Sequence, residues 1–282
     1  MRSGVLVALV VLTAGLCGCG SSSSKPETPL HISTFELKSK LLGKQLDQLL
    51  VTPKGGGKGR PLLVFLHGYG GTPADTLGGA FVTALRRLGD RAPVVVLPDG
   101  QVGWWHDRDE GRWGSYVLQE VIPAALARSG ADKNRVAIGG ISMGGFGALN
   151  LGRHGDRFCA VGGHSPAILQ ADDFGFGFDN ARDYARNNLL TIARKRLPYD
   201  TRVWIDVGDQ DELRTPDALL ARELRARGAD VSFHVWPGNH DGDYWDKRFD
   251  EYLDFYVEAC SEGPRVPSVQ RRRKPESARV RP

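Results

Sequence analysis

Hydrophobic and polar positions follow two different patterns along the chain. In residues 33–53, hydrophobic and polar side chains alternate on both sides of Gly43. This pattern predicts an antiparallel pair of strands at the start of a sheet. The later apolar runs are short and nearly continuous, as expected for strands that are buried on both faces. These runs are PLLVFLHG, APVVVLPDG, RVAIGG, FCAVGGHS, TRVWIDVGDQD and VSFHVWPGNH.

Helical patterns lie between these runs and alternate with them. Strand alternating with helix predicts right-handed crossovers and a mostly parallel α/β sheet with helices on both faces. In such a sheet, ligands bind at the carboxyl ends of the strands. We therefore expect one domain over residues 31–260. The predicted helices are Ala74–Leu88, Ser115–Arg128, Met143–His154, Pro216–Arg227 and Tyr244–Ala259.

The first residues have the pattern of an export signal. Arg2 precedes an apolar run of about a dozen residues, which is too short to span a bilayer and has the length of a signal-peptide core. The sequence LCGC that follows resembles the lipobox of bacterial lipoproteins, with Cys19 as the lipidated residue. We expect residues 1–18 to be a signal peptide and residues 19–30 to be the lipidated cysteine and a flexible tether that anchors an exported protein to the membrane. An ordinary secretory signal is the alternative.

The other end of the chain is rich in Arg and Pro, and residues 261–282 are expected to be disordered. From Pro264 onward there are seven Lys or Arg and one Glu, whereas the whole chain has a net charge of +4. The rest of the chain is therefore slightly acidic, and we expect no nucleic-acid groove in it. The tail either contacts an anionic lipid or wall polymer or is simply solvated.

Two cysteines remain, Cys159 and Cys260, and the sequence leaves open whether they form a disulfide or are two buried thiols. No C-x-x-C motif is present. The acidic and His-containing runs HDRDEG and NHDGDYWD have no recognised metal-ligand spacing. We therefore predict no metal and no cofactor.

Ser142 lies in the run VAIGGISMGGFGALN, where a strand pattern passes directly into a helix pattern. A bare G-x-S-x-G string is weak evidence in a chain with 36 Gly among 282 residues. The strand–turn–helix context, however, is that of a nucleophile elbow, in which Gly140 and Gly144 allow strand and helix to come close together. Ser142 is therefore the candidate nucleophile.

A serine nucleophile requires a base and a carboxylate that orients the base. His240 follows the last predicted strand and is the candidate base, although position alone leaves His106 and His164 as alternatives. Asp211 lies far enough into the loop after the preceding strand to reach under a histidine, and Asp209 is the alternative. The order Ser, Asp, His is that of α/β-hydrolases.

The transition state also needs an oxyanion hole, for which we predict the backbone N–H groups of Met143 and Tyr69. Met143 follows the nucleophile, and Tyr69 lies in LHGYGG after the first buried strand. His67, Trp104 and Trp105 lie at strand ends and are the candidate substrate contacts. The two tryptophans could form an aromatic wall for an acyl group or a sugar, and ordinary packing is the equal alternative.

Four motifs together carry a family resemblance: LVFLHGYGG, GGISMGGFGAL, VGDQDEL and WPGNHDGDYWDKRFDEYLDFY. In this order they resemble an esterase family of α/β-hydrolases that includes S-formylglutathione hydrolases, feruloyl and acetyl-xylan esterases and mycolyltransferases. The likeness covers about residues 33–258. It implies an α/β-hydrolase fold and a triad at Ser142, Asp211 and His240.

The sequence thus predicts an exported, lipid-anchored serine esterase that acts on small-molecule or glycan-linked esters with short acyl or aryl groups. One alternative is an acyltransferase, in which a sugar or glycolipid alcohol replaces water. The other is a surface binding module that has kept the fold without the chemistry. The segment 166–180, with its Gly-Phe-Gly-Phe run, is expected to act as an apolar flap.

Overall fold

The structure is a computed structural model that describes residues 28–154, 157–169 and 175–261. The predicted signal peptide, Cys19, most of the predicted tether and the basic tail lie outside the described residues.

The core of the fold is an eight-stranded sheet whose order is β1-β2-β4-β3-β7-β8-β9-β10. Six neighbouring strands, from β4 to β10 in this order, are parallel, and β1 and β2 extend the sheet at one edge as an antiparallel pair. This confirms the prediction of a mostly parallel sheet with an antiparallel start. The strands of this sheet are β1 Leu30–Ser39, β2 Lys44–Pro53, β3 Leu62–Leu66, β4 Val94–Leu97, β7 Val136–Ile141, β8 Ala160–His164, β9 Arg202–Gly208 and β10 Val231–Trp236. Two further short strands, β5 Asp107–Arg108 and β6 Gly111–Arg112, form a separate antiparallel pair.

Helices cover both faces of the sheet, and the five predicted helical regions are all helical. Two of them are each divided into two helices, one by a break at Leu77–Gly78 and the other by a break at Lys247–Arg248. Two helices in the segment after residue 180 were not predicted. The helices are α1 Pro73–Thr76, α2 Gly79–Arg87, α3 Trp113–Tyr116, α4 Ile122–Ser129, α5 Met143–Gly152, α6 Ala181–Asn187, α7 Leu189–Lys195, α8 Arg214–Ala226, α9 Gly242–Asp246 and α10 Phe249–Ser261, with a π-helical turn Val117–Val121 between α3 and α4.

The continuous apolar runs arise because each central strand is buried on both faces. In β3, Leu62, Val64 and Leu66 belong to the core under α4, α5 and α8, whereas Leu63 and Phe65 belong to the core under α2 and α10. Successive side chains of a strand point to opposite faces, so every residue of such a strand must be apolar.

A disulfide joins Cys159, just before β8, to Cys260, near the end of α10. It resolves the question that the sequence left open. The bridge closes a loop with a sequence separation of 101 residues. Disulfides typically stabilise the folded state by about 2–4 kcal/mol, mainly by restricting the unfolded chain. It fixes the last helix to the central strands.

In the part of the chain that the structure describes, no helix is both long enough and apolar enough to cross a bilayer.

Candidate active site

Ser142 lies on a sharp turn between β7 and α5 and adopts a left-handed backbone conformation, with φ 56° and ψ −116°. Such a conformation is strained for a residue with a side chain and costs on the order of 1–3 kcal/mol. The surroundings fix it: the Ser142 N–H donates to the His164 carbonyl at 2.9 Å, and the Ser142 carbonyl accepts from the Ala167 N–H at 3.0 Å. The turn presents the hydroxyl at the carboxyl ends of the central strands.

Gly140 and Gly144 are required by close packing at this turn. A Cβ atom on Gly144 would lie 2.1 Å from the Leu66 carbonyl oxygen, and one on Gly140 would lie 2.6 Å from the backbone of Gly144. Both contacts are with backbone atoms, which cannot move aside. Only glycine therefore fits at these two positions.

Ser142, His240 and Asp211 form a continuous chain of hydrogen bonds. The Ser142 hydroxyl donates to His240 Nε2 at 2.8 Å, and His240 Nδ1 donates to Asp211 Oδ2 at 2.8 Å. The side chain of Asp211 is fully buried, whereas 30% of the His240 side chain is exposed. These are the contacts that a nucleophile, a base and an orienting carboxylate require.

Asp211 has the electrostatics of an ionised partner. Burial by itself raises its pKa, but the hydrogen bonds from His240 and from the Leu213 N–H, which lies 2.8 Å from Oδ1, hold the pKa below its usual value. Asp211 therefore stays charged at neutral pH and can stabilise a protonated His240.

The alternative triad residues have other partners. Asp209 accepts a hydrogen bond from the Gly238 N–H at 3.0 Å and so ties down the loop that leads to His240. His106 pairs with Asp183 at 3.1 Å. His164 pairs with Asp206 at 2.7 Å. None of these side chains bonds to Ser142 or His240 within the described residues.

The two predicted oxyanion donors belong to segments that lie next to Ser142. Met143 is the first residue of α5, so its N–H has no acceptor within the helix. Tyr69 follows Gly68, where an added Cβ would lie 3.5 Å from the Cβ of Ser142. The loop turns tightly, because Gly70 has φ +72° and the Gly71 N–H donates to the Gly68 carbonyl at 3.1 Å.

His67 supports this loop from below. Its Nδ1 donates to the Gly68 carbonyl at 2.8 Å, and its Nε2 accepts from the Gly100 N–H at 3.0 Å. Burial lowers the pKa of His67, so the ring remains neutral in this pattern of bonds. His67 reaches the wall of the cleft beside Ser142, but both ring nitrogens are already bonded to the backbone. Its role in the structure is to hold the loop rather than to offer a polar contact to substrate.

The prediction of an aromatic wall at Trp104 and Trp105 is wrong. Trp104 is 1% exposed and Trp105 is fully buried, and neither lines the cleft. Both have positive φ angles, 55° and 56°. Trp105 packs on Gly147 of α5 and donates from Nε1 to the His67 carbonyl at 3.2 Å. The pair therefore forms the floor beneath the oxyanion loop.

The cleft beside Ser142 has a volume of about 470 Å³. Its apolar wall comes from side chains that the sequence did not single out, chiefly Trp245 and Phe249, together with the half-exposed Tyr69. The lining residues are His67, Gly68, Tyr69, Gly71, Asp75, Thr76, Ile141, Ser142, His240, Gly242, Trp245, Asp246 and Phe249.

Part of the segment expected to act as a flap, residues 170–174, lies outside the described residues. Its following residues are tied down, since Arg108 donates to Asp179 at 3.0 Å and to the Phe176 carbonyl at 3.2 Å. The exposed Phe176 ring lies 4.9 Å from Tyr69 and 5.1 Å from Trp104, between ring centroids. Phe176 thus adds an aromatic surface next to the cleft.

Sequence reasoning missed a buried polar cluster under the site, centred on Asp206. Asp206 Oδ2 accepts hydrogen bonds from the hydroxyls of Tyr244 and Tyr252, at 2.8 and 2.7 Å. Its Oδ1 accepts from Trp204 Nε1 at 2.8 Å and from His164 Nδ1, and His164 Nε2 accepts from the Tyr256 hydroxyl at 2.8 Å. An Asp in the apolar run WIDVG was the available signal, since a buried carboxylate needs several donors.

This cluster connects the nucleophile to the base. The backbone of His164 holds Ser142, and Tyr244 packs directly against Gly238 in the loop that leads to His240. Burial and the neighbouring Asp206 carboxylate raise the pKa of Tyr244, so its hydroxyl keeps its proton as a donor. Fully satisfied buried networks of this kind make the surrounding structure rigid.

Asp217 on α8 is a further buried carboxyl near this region. Burial, and the charges of Asp211 and Asp206, raise its pKa well above the usual value. Its oxygens have no hydrogen-bond partner among the described residues. The raised pKa favours the neutral form of Asp217 beside Asp211.

In the described ranges, no group of three or more His, Cys, Asp or Glu residues could hold a metal ion.

Comparisons with known proteins agree on one family. A family model described as "Putative esterase" matches residues 39–256. An acetyl esterase of Caldicellulosiruptor saccharolyticus is 27% identical over 211 residues, which are 66% of this chain and 79% of that protein. An esterase of Mycobacterium tuberculosis is 30% identical over 226 residues, 65% of this chain, and the match spans about half, 49%, of that longer protein.

Solved structures show the same fold. A ferulic acid esterase superimposes with a TM-score of 0.73 at 23% identity, covering 82% of this chain and 99% of that one. This likeness, with the strand order given above, identifies the α/β-hydrolase fold that the sequence resemblance implied.

We expect the Asp206 cluster to control both stability and the position of His240. Tyr244→Phe and Tyr252→Phe each remove one hydroxyl donor to the carboxylate, which should lower the free energy of unfolding by about 1.5–3 kcal/mol. Only Tyr244 packs under the His240 loop, so only Tyr244→Phe should also lower kcat. Urea denaturation and ester hydrolysis measure the two effects. Equal effects of the two variants on kcat would contradict this role for Tyr244.

Proposed function

The chain belongs to this esterase family and is a serine ester hydrolase, and on that basis we propose that it hydrolyses carboxylic esters through a triad of Ser142, His240 and Asp211. The observation that carries the proposal is the pair of 2.8 Å hydrogen bonds that link the three side chains. They meet at the wall of an open cleft, where a substrate can reach the hydroxyl.

In the first half of the reaction, Ser142 Oγ attacks the ester carbonyl carbon while its proton passes to His240 Nε2. The carbonyl oxygen becomes an oxyanion, which accepts hydrogen bonds from the N–H groups of Met143 and Tyr69. One such donor contributes about 3–4 kcal/mol in the transition state. Collapse of the tetrahedral intermediate breaks the bond to the alcohol oxygen, which takes the proton from His240 and leaves an acyl-enzyme.

In the second half, water attacks the acyl-enzyme carbonyl and gives its proton to His240. The second tetrahedral intermediate expels Ser142 Oγ, which recovers the proton, and the carboxylic acid leaves. Asp211 accepts the Nδ1–H bond of His240 throughout and so fixes the tautomer and stabilises the imidazolium.

We propose short acyl or aryl esters, small or linked to a glycan, as substrates. The apolar wall of the cleft is limited to a few side chains and is interrupted by the carboxylates of Asp75 and Asp246. A long lipid chain would desolvate these carboxylates, which is costly, whereas a short group would not reach along the whole wall.

We also propose that the enzyme is exported and anchored to the membrane through a lipid on Cys19. The apolar start of the chain and its lipobox-like sequence support this, although they lie outside the described residues. The disulfide between Cys159 and Cys260 is independent support, because disulfides persist mainly in oxidising compartments.

Asp211→Asn tests the triad. The neutral amide cannot stabilise the imidazolium, so kcat for a p-nitrophenyl acetate assay should fall by about 10³–10⁴-fold with the fold retained. Ser142→Ala should abolish both turnover and labelling by a fluorophosphonate probe. Asp209→Asn is the matched control and should reduce kcat less than tenfold. A larger loss for Asp209→Asn than for Asp211→Asn would assign the carboxylate role to Asp209.

A hydrolysis panel tests the substrate class. We expect kcat/KM for acetyl, butyryl or feruloyl esters to exceed that for a palmitoyl ester at least tenfold, because of the interrupted apolar wall. A preference for the palmitoyl ester would contradict the proposal. The panel includes a sugar acceptor, and efficient acyl transfer to the sugar over water would favour an acyltransferase instead of a hydrolase.

Cys19→Ala tests the anchor. We expect the wild-type protein to fractionate with membranes of a bacterial host and the variant to be released or to remain an uncleaved precursor, because no other residue would carry the lipid. Cys17→Ala is the control and should fractionate as the wild type does. Unchanged processing and fractionation of Cys19→Ala would refute lipidation at this residue.

A further inference from the structure

The cleft beside Ser142 contains two carboxylates and no balancing cation. Asp75 and Asp246 both line it, and no Lys or Arg is among its described lining residues. The two carboxylates differ in their hydrogen-bond partners, and this difference determines which of them is available to a substrate.

Asp75 is already used by the backbone. Its Oδ2 accepts hydrogen bonds from the N–H and the hydroxyl of Thr72, both at 2.8 Å, and these bonds cap the start of α1. Its negative charge adds to the charge of the cleft, but its carboxylate is held in place by these bonds at the start of α1. Substitution of Asp75 would therefore disturb the loop next to the oxyanion donors.

Asp246 has no such structural use. It is the last residue of α9 and is exposed, and its carboxylate has no hydrogen-bond or ion-pair partner among the described residues. Asp246 lines the same cleft as Ser142 and His240, and the preceding residue, Trp245, packs edge-on against the His240 ring with 5.1 Å between centroids. Burial and the neighbouring Asp243 raise the pKa of Asp246, as expected for a carboxylate without a compensating partner.

The nearest basic residues along the chain do not neutralise it. Lys247 is exposed and does not line the cleft. Arg248 stacks on Trp236 at 4.6 Å from the ring centroid and approaches Glu251 at 3.5 Å. The cleft therefore presents uncompensated negative charge to an incoming ester.

From this arrangement we propose that Asp246 is a specificity residue that disfavours anionic esters, so that the substrates of the enzyme are uncharged or cationic esters. The inference rests on the proposed function, since it concerns the cleft in which Ser142 acts. Like charges repel each other even through water, and at a separation of about 4 Å one such pair changes affinity by a factor of about three to ten.

The test compares two esters with acyl groups of equal length and opposite character: p-nitrophenyl butyrate, which is uncharged, and p-nitrophenyl hemisuccinate, which is anionic. Folded Ser142→Ala protein supplies the background rate, which matters because the free carboxylate of hemisuccinate attacks its own ester. The readout is the ratio of kcat/KM for the hemisuccinate to that for the butyrate.

We expect this ratio to be well below one for the wild type and to rise about three- to tenfold in Asp246→Asn. Asp243→Asn is the matched control, because it removes a charge from the same helix at an exposed residue that does not line the cleft. Its ratio should stay within twofold of the wild type. A second pair, butyrylcholine and 3,3-dimethylbutyl butyrate, differs only in positive charge, and the wild type should prefer the cation.

A wild-type ratio near one, or an equal rise in Asp243→Asn and Asp246→Asn, would overturn the role of Asp246 while leaving the esterase function intact. Failure of the folded wild type to hydrolyse any of the esters would overturn the proposed function, and the charge preference with it.

Discussion

The close approach of α5 to the carboxyl ends of β3 and β7 is the constraint on which the site depends. It leaves no room for a Cβ atom at Gly140 or Gly144, and it holds Ser142 at a positive φ. The same approach brings the loop after β3 to the side of the nucleophile. One packing contact therefore exposes the hydroxyl and brings Gly68 close to it, and the strain at Ser142 is maintained by the structure around it.

His240 and Asp211 lie on loops, and the loop that leads to His240 is held by contacts from beneath. Asp209 fixes the loop before His240 through the Gly238 N–H, and Tyr244 packs against the same glycine while donating to Asp206. Asp206 in turn bonds to His164, whose backbone holds Ser142. The nucleophile and the base are thus connected through one buried and fully hydrogen-bonded cluster, which explains how side chains on three separate loops keep distances of 2.8 Å.

The aromatic residues near the site have two roles: some support the loop after β3, and others form part of the cleft surface. Trp105 lies beneath the oxyanion loop and bonds to its backbone, whereas Tyr69 and Trp245 face the cleft. The polarity of the cleft comes from Asp75 and Asp246, one of which also caps a helix.

The sequence by itself determined the order of strands and helices, the strained turn at Ser142 and the positions of His240 and Asp211, because these follow from local pattern: continuous apolar runs, glycines beside a serine, and polar residues just after strands. It left open the pairing of Cys159 with Cys260, and it misplaced Trp104 and Trp105 in the cleft wall. Only the tertiary structure decided these points, and only it revealed the partners of Asp206. The physical reason is that the direction of a side chain and its contacts with distant segments are set by backbone angles and packing across the sheet, which a single stretch of sequence does not contain.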